Sequence, residues 1–89
     1  RALIEAQRPV VADGLRALGL RVIEGRANYL LFRAPEALGE ALRRKGAVLR
    51  SCGNYPGLDA SWYRTAVRTE NENRQLLALL AETLPEVAQ

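Results

Sequence analysis

Two arginines flank one loop in this chain, and arginine is the residue type best suited to binding an anion. Arg50 ends an apolar run, and Arg64 lies in a second strand-like run beyond a loop rich in Gly, Pro and Asn. A guanidinium group donates two parallel hydrogen bonds to a carboxylate or a phosphate. The stretch therefore predicts a site for a small molecule with two negative groups. Asn54 and Tyr55 of the loop are candidates to line its pocket.

Both arginines also have an ordinary structural interpretation. A charge within a strand is costly unless it has a partner, but exposed strand faces often carry charged residues, alone or paired with a glutamate. On the pattern alone, this interpretation is the more frequent one for Arg64, and it applies equally to Arg50. Arg68 precedes a helix start and is interpreted as a solvated residue. Tyr55 and Trp62 are more often packing residues than ligand contacts.

Several chemistries are excluded by residue type. The chain has no histidine, so it cannot supply a Ser–His or Cys–His catalytic pair. It has a single cysteine, Cys52, which excludes a disulfide within the chain, and it offers no zinc ligand set. A free cysteine usually behaves as a small apolar residue, so we expect Cys52 to be packed, with a reactive thiol as the alternative.

Composition indicates one small globular domain. The 89 residues are 48% hydrophobic and 26% charged, with a formal net charge of +3. Arginines account for nearly all the basic residues and are spread along the chain, whereas a nucleic-acid surface would require a clustered basic stripe. The single tight cluster, residues 43–45, lies at a predicted helix end and is interpreted as solvated. No apolar run reaches the roughly 20 residues of a membrane span.

The hydrophobic pattern predicts a helix, two strands, a helix, two strands and a helix, over residues 2–18, 21–24, 29–33, 35–45, 47–51, 62–67 and 69–84. Pro9 is expected to kink the first helix or to restart it, leaving residues 1–8 as a frayed or linking segment. Thr69 and Glu72 form a capping box for the last helix, which is expected to end at Pro85. This order predicts an α+β fold, a small mostly antiparallel four-stranded sheet covered by helices on one face.

Three segments resemble one enzyme family: GLRALGLRVIEGRANYLLFR, GAVLRSCGNYPGL and YRTAVRTENENRQLLALL. They resemble the C-terminal small domain of fold-type I pyridoxal-phosphate enzymes, in the branch of histidinol-phosphate aminotransferase and threonine-phosphate decarboxylase. The similarity runs from about Pro9 to Leu84. It implies that residues 1–89 are a single small domain of a larger enzyme. The chain begins at Arg1, directly before a predicted helix, which agrees with this expectation.

The resemblance also implies roles for the two arginines. Arg64 of YRTAVR would bind the substrate α-carboxylate, and Arg50 of VLRSC would meet the substrate phosphate. The substrate would be a phosphorylated amino acid, and the cofactor ring would act as the electron sink. The carboxylate contact would then fix which bond of the α-carbon lies perpendicular to the cofactor ring. That bond is the one broken, so the contact would select between transamination and decarboxylation. The implied parent enzyme is a cytoplasmic homodimer with neither nucleic acid nor membrane as a partner.

The family places the Schiff-base lysine, the acid at the pyridine nitrogen and the phosphate cradle in a large domain that is absent here. Lys45 is the one lysine of this chain, and nothing aligns it with the catalytic lysine. We therefore expect no catalytic, cofactor-binding or metal-binding residue within residues 1–89, and no activity or bound cofactor for these residues alone. The alternatives are a stand-alone α+β binding module, including one for nucleic acid, and a purely structural or regulatory domain.

Overall fold

The residues that the structure describes form three helices and four strands. The computed structural model describes residues 2–24, 28–53 and 55–87. The elements in chain order are α1 (Ala2–Ala17), β1 (Arg21–Glu24), β2 (Tyr29–Arg33), α2 (Leu38–Arg44), β3 (Arg50–Ser51), β4 (Trp62–Ala66) and α3 (Glu70–Val87). The strands form one sheet in the order β1-β2-β4-β3, and each neighbouring pair is antiparallel. The predicted α+β fold is confirmed.

The core lies between the helices and one face of the sheet. Residues alternate between buried and half-buried along β2 and β4, because successive side chains of a strand point to opposite faces. Phe32 of β2 and Tyr63 of β4 stack on the buried face, with ring centroids 5.7 Å apart. Val11 and Leu15 of α1 and Leu80 of α3 pack into the same core and are fully buried.

The predicted helix ends are confirmed at three places. Gly19 and Gly46 follow α1 and α2 with φ of 85° and 90°, a left-handed conformation that glycine adopts without strain. At the start of α3, the Glu72 backbone N–H donates to the Thr69 hydroxyl at 3.3 Å, and the Thr69 N–H donates back to the Glu72 carboxylate at 3.3 Å. These contacts are the capping box, and they lower the pKa of Glu72.

Pro9 and Pro85 both lie inside helices, so the predicted end of the last helix at Pro85 was wrong, as was the restart that was one of the two alternatives for Pro9. The helix does not restart near Arg8, because α1 is continuous from Ala2 and Gln7 is buried against α3. α3 does not end at Pro85 but continues to Val87. Each proline removes one backbone donor from its helix. The helices persist because tertiary contacts hold them on both sides of the proline.

Lys45 supplies such a contact for α3. Its ammonium group lies 3.2 Å from the Glu82 carboxylate, 2.9 Å from the Glu86 carboxylate and 3.1 Å from the Thr83 hydroxyl. The two glutamates raise the pKa of Lys45, with Glu86 as the larger cause. Residues 43–45 are exposed, in keeping with their interpretation as a solvated helix end, and Lys45 in addition joins the end of α2 to the last turns of α3.

Two further boundaries differ from the prediction. β3 was expected over residues 47–51 but contains only Arg50 and Ser51, and Val48 is 84% exposed. α2 begins at Leu38 instead of Pro35. The Tyr63 hydroxyl explains the second difference, because it accepts the Gly39 N–H at 3.1 Å and donates to the Glu36 carbonyl at 2.9 Å. This side chain from β4 caps α2 where the sequence offers no local cap.

Candidate functional site

The face of the sheet opposite the helices carries the arginines of the strands. Leu31 of β2 and Arg64 of β4 are half-buried on this open face and are directly opposite each other. The strand register extends the same face to both edges of the sheet. Its polar members are Arg21, Arg33, Arg50 and Arg64, and its apolar members are Ile23, Tyr29, Leu31, Trp62 and Ala66.

Arg50 and Arg64, here named the arginine pair, are register partners on neighbouring strands. Residues directly opposite in an antiparallel ladder extend from the same face of the sheet. The two arginines that the sequence singled out therefore share the open face, and both line the same two cavities. A single ligand is thus able to contact both guanidinium groups.

Two aromatic side chains hold Arg64 in place. The Arg64 Nη1 donates a hydrogen bond to the Tyr55 hydroxyl at 3.0 Å. The guanidinium carbon lies 5.5 Å from the centre of the Tyr29 ring, at a distance typical of a cation–π contact. Both contacts fix the direction of the side chain without neutralising its charge, so Arg64 is oriented and still cationic.

The arginine pair has no ion-pair partner among the described carboxylates. The ion pairs of the described residues involve Arg16, Arg43, Arg44, Lys45 and Arg74. Like charges directly opposite each other in a sheet are destabilising. An anion placed between Arg50 and Arg64 would relieve this repulsion, so the pair is a candidate anion-binding site.

Two cavities are lined by both members of the arginine pair. The smaller, here named the loop cavity, has a volume of about 270 Å³ and is lined by the pair together with Ser51, Cys52 and Tyr55. The larger, here named the α3 groove, has a volume of about 920 Å³ and runs along α3 past Tyr29, Arg68 and Glu72. The arginine pair forms a wall common to both, so a ligand with two anionic ends could place one end in each.

The loop between β3 and β4 is anchored by its cysteine. Cys52 is buried, as predicted, and its backbone N–H donates to the Trp62 carbonyl at 2.8 Å. Burial raises the pKa of the Cys52 thiol, an effect that the positive charge of Arg64 partly offsets. The thiol is therefore neutral near pH 7 and adds no negative charge beside the arginine pair. Tyr55 lies in this cavity, and Asn54 falls outside the described residues.

Some features of the site were not found from the sequence. Tyr29 was assigned only to a strand, and its contact with Arg64 depends on the register of β2 against β4. Arg68 was interpreted as a solvated residue, and it is exposed, but it also lines the α3 groove. The buried Asn73 was missed as well. Its side chain accepts the Arg68 N–H at 3.0 Å and donates to the Arg68 carbonyl at 2.9 Å, which fixes the backbone at Arg68.

Within 2–24, 28–53 and 55–87, no group of three or more potential metal ligands is present. None of the helices in that part of the chain has the length and hydrophobicity needed to span a bilayer.

The family model for aminotransferase class I and II matches residues 1–80. A threonine-phosphate decarboxylase from Salmonella typhimurium is 44% identical over 72 residues, which cover 78% of this chain and 20% of that protein. A histidinol-phosphate aminotransferase from Methanothermobacter thermautotrophicus is 41% identical over 69 residues, covering 71% of this chain and 18% of that protein. The solved structure of the histidinol-phosphate aminotransferase from Clostridium acetobutylicum matches with a TM-score of 0.86 at 30% identity, covering 96% of this chain and 27% of that one.

The chain thus spans about a fifth of the length of these two curated relatives. The resemblance proposed from its sequence segments is confirmed, in both the family and the fold. The chain belongs to the aminotransferase class I and II family.

Proposed function

We propose that this chain is the substrate-binding small domain of a pyridoxal-phosphate enzyme of the threonine-phosphate decarboxylase or histidinol-phosphate aminotransferase type. In this proposal Arg64 binds the α-carboxylate of a phosphorylated amino acid and Arg50 contacts its phosphate. The family match supports the enzyme class. The observation that carries the roles is the arginine pair itself, two opposed cations on one open face with no described carboxylate between them.

The geometry supports different binding roles for the two arginines. Arg64 is contacted by Tyr55 and Tyr29, which supports a role in orienting a reacting carbon. Arg50 is exposed and lies in the edge strand, where it can follow the more distant end of a ligand. A guanidinium fork matches both a planar carboxylate and a phosphate. The two arginines would thus fix a substrate at both ends and leave its α-carbon between them.

Members of this family use pyridoxal phosphate, but the residues of this chain do not fit the attachment of that cofactor. Lys45 is the one lysine in the sequence, and its ammonium group is held by Glu82, Glu86 and Thr83 at the end of α2. Neither of the two cavities at the arginine pair is lined by Lys45. We therefore assign the lysine that binds the cofactor to another part of the parent enzyme, and we derive no reaction step through the cofactor here.

The parent enzyme is proposed to be a cytoplasmic homodimer, as the resemblance implied. The alternative of a nucleic-acid-binding module draws on the gathering of Arg21, Arg33, Arg50 and Arg64 on one face. The family match favours the enzyme over that alternative. A binding module of this kind would show a steep fall in affinity with rising salt, whereas the proposal predicts no specific binding of nucleic acid.

The proposal is tested by replacing each arginine in the parent enzyme. We expect Arg64→Ala to raise the KM for a phosphorylated amino acid about 10- to 100-fold, because a hydrogen bond to a charged group contributes roughly 1.5–3 kcal/mol. Arg50→Ala should have an effect of similar size. Arg74→Ala is the matched control, since Arg74 is exposed and pairs with Glu70 on α3. A KM for either variant that equals the control value would refute the assigned role.

A further inference from the structure

A second pair of opposed arginines lies on the open face of the sheet, toward the edge formed by β1. Arg21 of β1 and Arg33 of β2 are register partners, as Arg50 and Arg64 are at the other edge. Their side chains therefore extend from the same face of the sheet, and both residues are exposed. They are here named the β1–β2 pair. The proposed function assigns neither of them a role.

The described contacts leave most donors of the β1–β2 pair unused. Neither arginine takes part in an ion pair of the described residues. Arg33 donates from Nε to the Ser61 hydroxyl at 3.1 Å, and no described group accepts a hydrogen bond from its two Nη atoms. Two cations thus lie directly opposite each other, which destabilises a sheet unless an anion relieves the repulsion.

Asp59 is the acidic residue connected to the β1–β2 pair, and its carboxylate is engaged by Ser61. It accepts the Ser61 backbone N–H at 2.9 Å and also the Ser61 hydroxyl. These hydrogen bonds are the main cause that lowers the pKa of Asp59, and the charge of Arg33 contributes less. Ser61 therefore links Arg33 to Asp59 and orients the guanidinium group, while the arginine forms no direct ion pair with that carboxylate in the described structure.

The β1–β2 pair lines an open cleft, here named the β1 cleft. Its volume of about 540 Å³ lies within the roughly 300–1,000 Å³ of small-molecule pockets. Beside the two arginines and Ser61, its lining includes the apolar residues Leu20, Ala34 and Pro35. Its described lining contains no carboxylate and shares no residue with the two cavities at the arginine pair. The β1 cleft thus combines two available cations with an apolar surface.

We propose that the β1 cleft binds a small phosphorylated molecule, with its phosphate group held between Arg21 and Arg33. A phosphate group has three strong acceptor oxygens and can accept from both arginines, whereas one guanidinium fork already satisfies a carboxylate. The apolar residues of the cleft offer a surface for the remainder of the ligand. This inference goes beyond the proposed function and does not depend on the roles of Arg50 and Arg64.

The experiment removes the arginine pair first, so that Arg50 and Arg64 do not contribute to phosphate binding. Inorganic phosphate is titrated by calorimetry, at constant ionic strength, into the cofactor-loaded parent enzyme carrying Arg50→Ala and Arg64→Ala. The same titration is made after adding Arg21→Ala and Arg33→Ala. We expect the added changes to weaken phosphate binding about tenfold or more, since they remove charge-assisted hydrogen bonds. Identical isotherms would overturn the proposal, and so would the absence of phosphate binding in both proteins.

Two further variants in the same background separate recognition from net charge. Replacing the β1–β2 pair by lysines keeps both charges and removes the guanidinium forks, and we expect phosphate binding about threefold weaker or more. Arg43→Ala with Arg44→Ala removes two charges from exposed residues that pair with Glu40, and it should change the affinity less than twofold. An unaltered affinity in the lysine variant, or equal losses in the two alanine variants, would show general charge attraction and overturn the proposal.

Discussion

At the scale of single residues, the behaviour of each charged group depends on contacts between distant parts of the sequence. Arg64 and Lys45 are both cations, but the structure gives them opposite roles. Lys45 is neutralised by two glutamates of α3, whereas Arg64 is oriented by aromatic groups and keeps its charge available. The strand position singled out Arg64 and the family resemblance assigned it a role, but the sequence did not predict the ion pairs of Lys45 with α3.

The capping box gives a prediction about pH. The Thr69 hydroxyl and backbone lower the pKa of Glu72, so the charged carboxylate stabilises the folded state above the unfolded pKa of about 4.3. That contribution is lost as the pH falls through the folded pKa. We expect Glu72→Gln to lower the urea midpoint of unfolding at neutral pH and to reduce its fall on acidification.

The control for this prediction is Glu5→Gln. Glu5 also lies exposed in the first turn of a helix, α1, where an acidic residue favours the helix dipole. A loss of pH dependence in Glu5→Gln equal to that in Glu72→Gln would show that the dipole, and not the capping box, is responsible.

At the scale of elements, the buried Asn73 joins three parts of the fold. Its amide donates to the Gln7 side chain of α1 at 3.1 Å and to the Arg68 carbonyl at 2.9 Å, while its carbonyl accepts the Arg68 N–H at 3.0 Å. Asn73 is 1% exposed. This contact network holds α1 and α3 together and sets the position from which Arg68 reaches the α3 groove.

We expect Asn73→Ala to destabilise the fold by about 2–3 kcal/mol, because the change leaves buried polar groups of Gln7 and Arg68 without partners. The free energy of unfolding in urea measures this effect. Asn71→Ala is the control, since Asn71 lies exposed on the same helix, and its effect should stay within about 0.5 kcal/mol. Equal losses in the two variants would contradict the role of the network.

Elements with local determinants were predictable, and those that depend on tertiary contacts were not. β1 and β2 have the predicted bounds, and α3 begins at its predicted capping box. Strand alternation and helix capping both depend on residues that are close together in the sequence. The start of α2 depends on the Tyr63 hydroxyl from β4, and the end of α3 lies beside Lys45. For the same reason the residues of the arginine pair were predictable, but their contacts with Tyr29 and Tyr55 depended on register and loop turns.

At the scale of the whole molecule, one layer of helices covers one face of the sheet and leaves the arginine-bearing face open. Within the described part of the chain, that face carries the arginine pair, whereas Lys45 lies at the end of α2 beside Glu82 and Glu86. Under the proposed function, the chain supplies part of an active site, and the lysine that holds the cofactor belongs to another part of the parent enzyme.

The isolated 89-residue chain is accordingly expected to show no turnover of a phosphorylated amino acid when pyridoxal phosphate is added. The measurement is product formation, together with the absorbance of the cofactor near the visible range. A cofactor band accompanied by turnover would contradict the assignment of the cofactor lysine to another part of the enzyme.

The central claim is that the arginine pair binds two different anionic ends of one substrate. It is tested most directly by comparing L-threonine O-3-phosphate with L-threonine as ligands of the parent enzyme and its Arg50→Ala and Arg64→Ala variants. We predict that Arg64→Ala weakens binding of both ligands, whereas Arg50→Ala weakens binding of the phosphorylated ligand alone, each by about tenfold or more. Equal weakening of both ligands by Arg50→Ala, or no weakening by Arg64→Ala, would contradict the account.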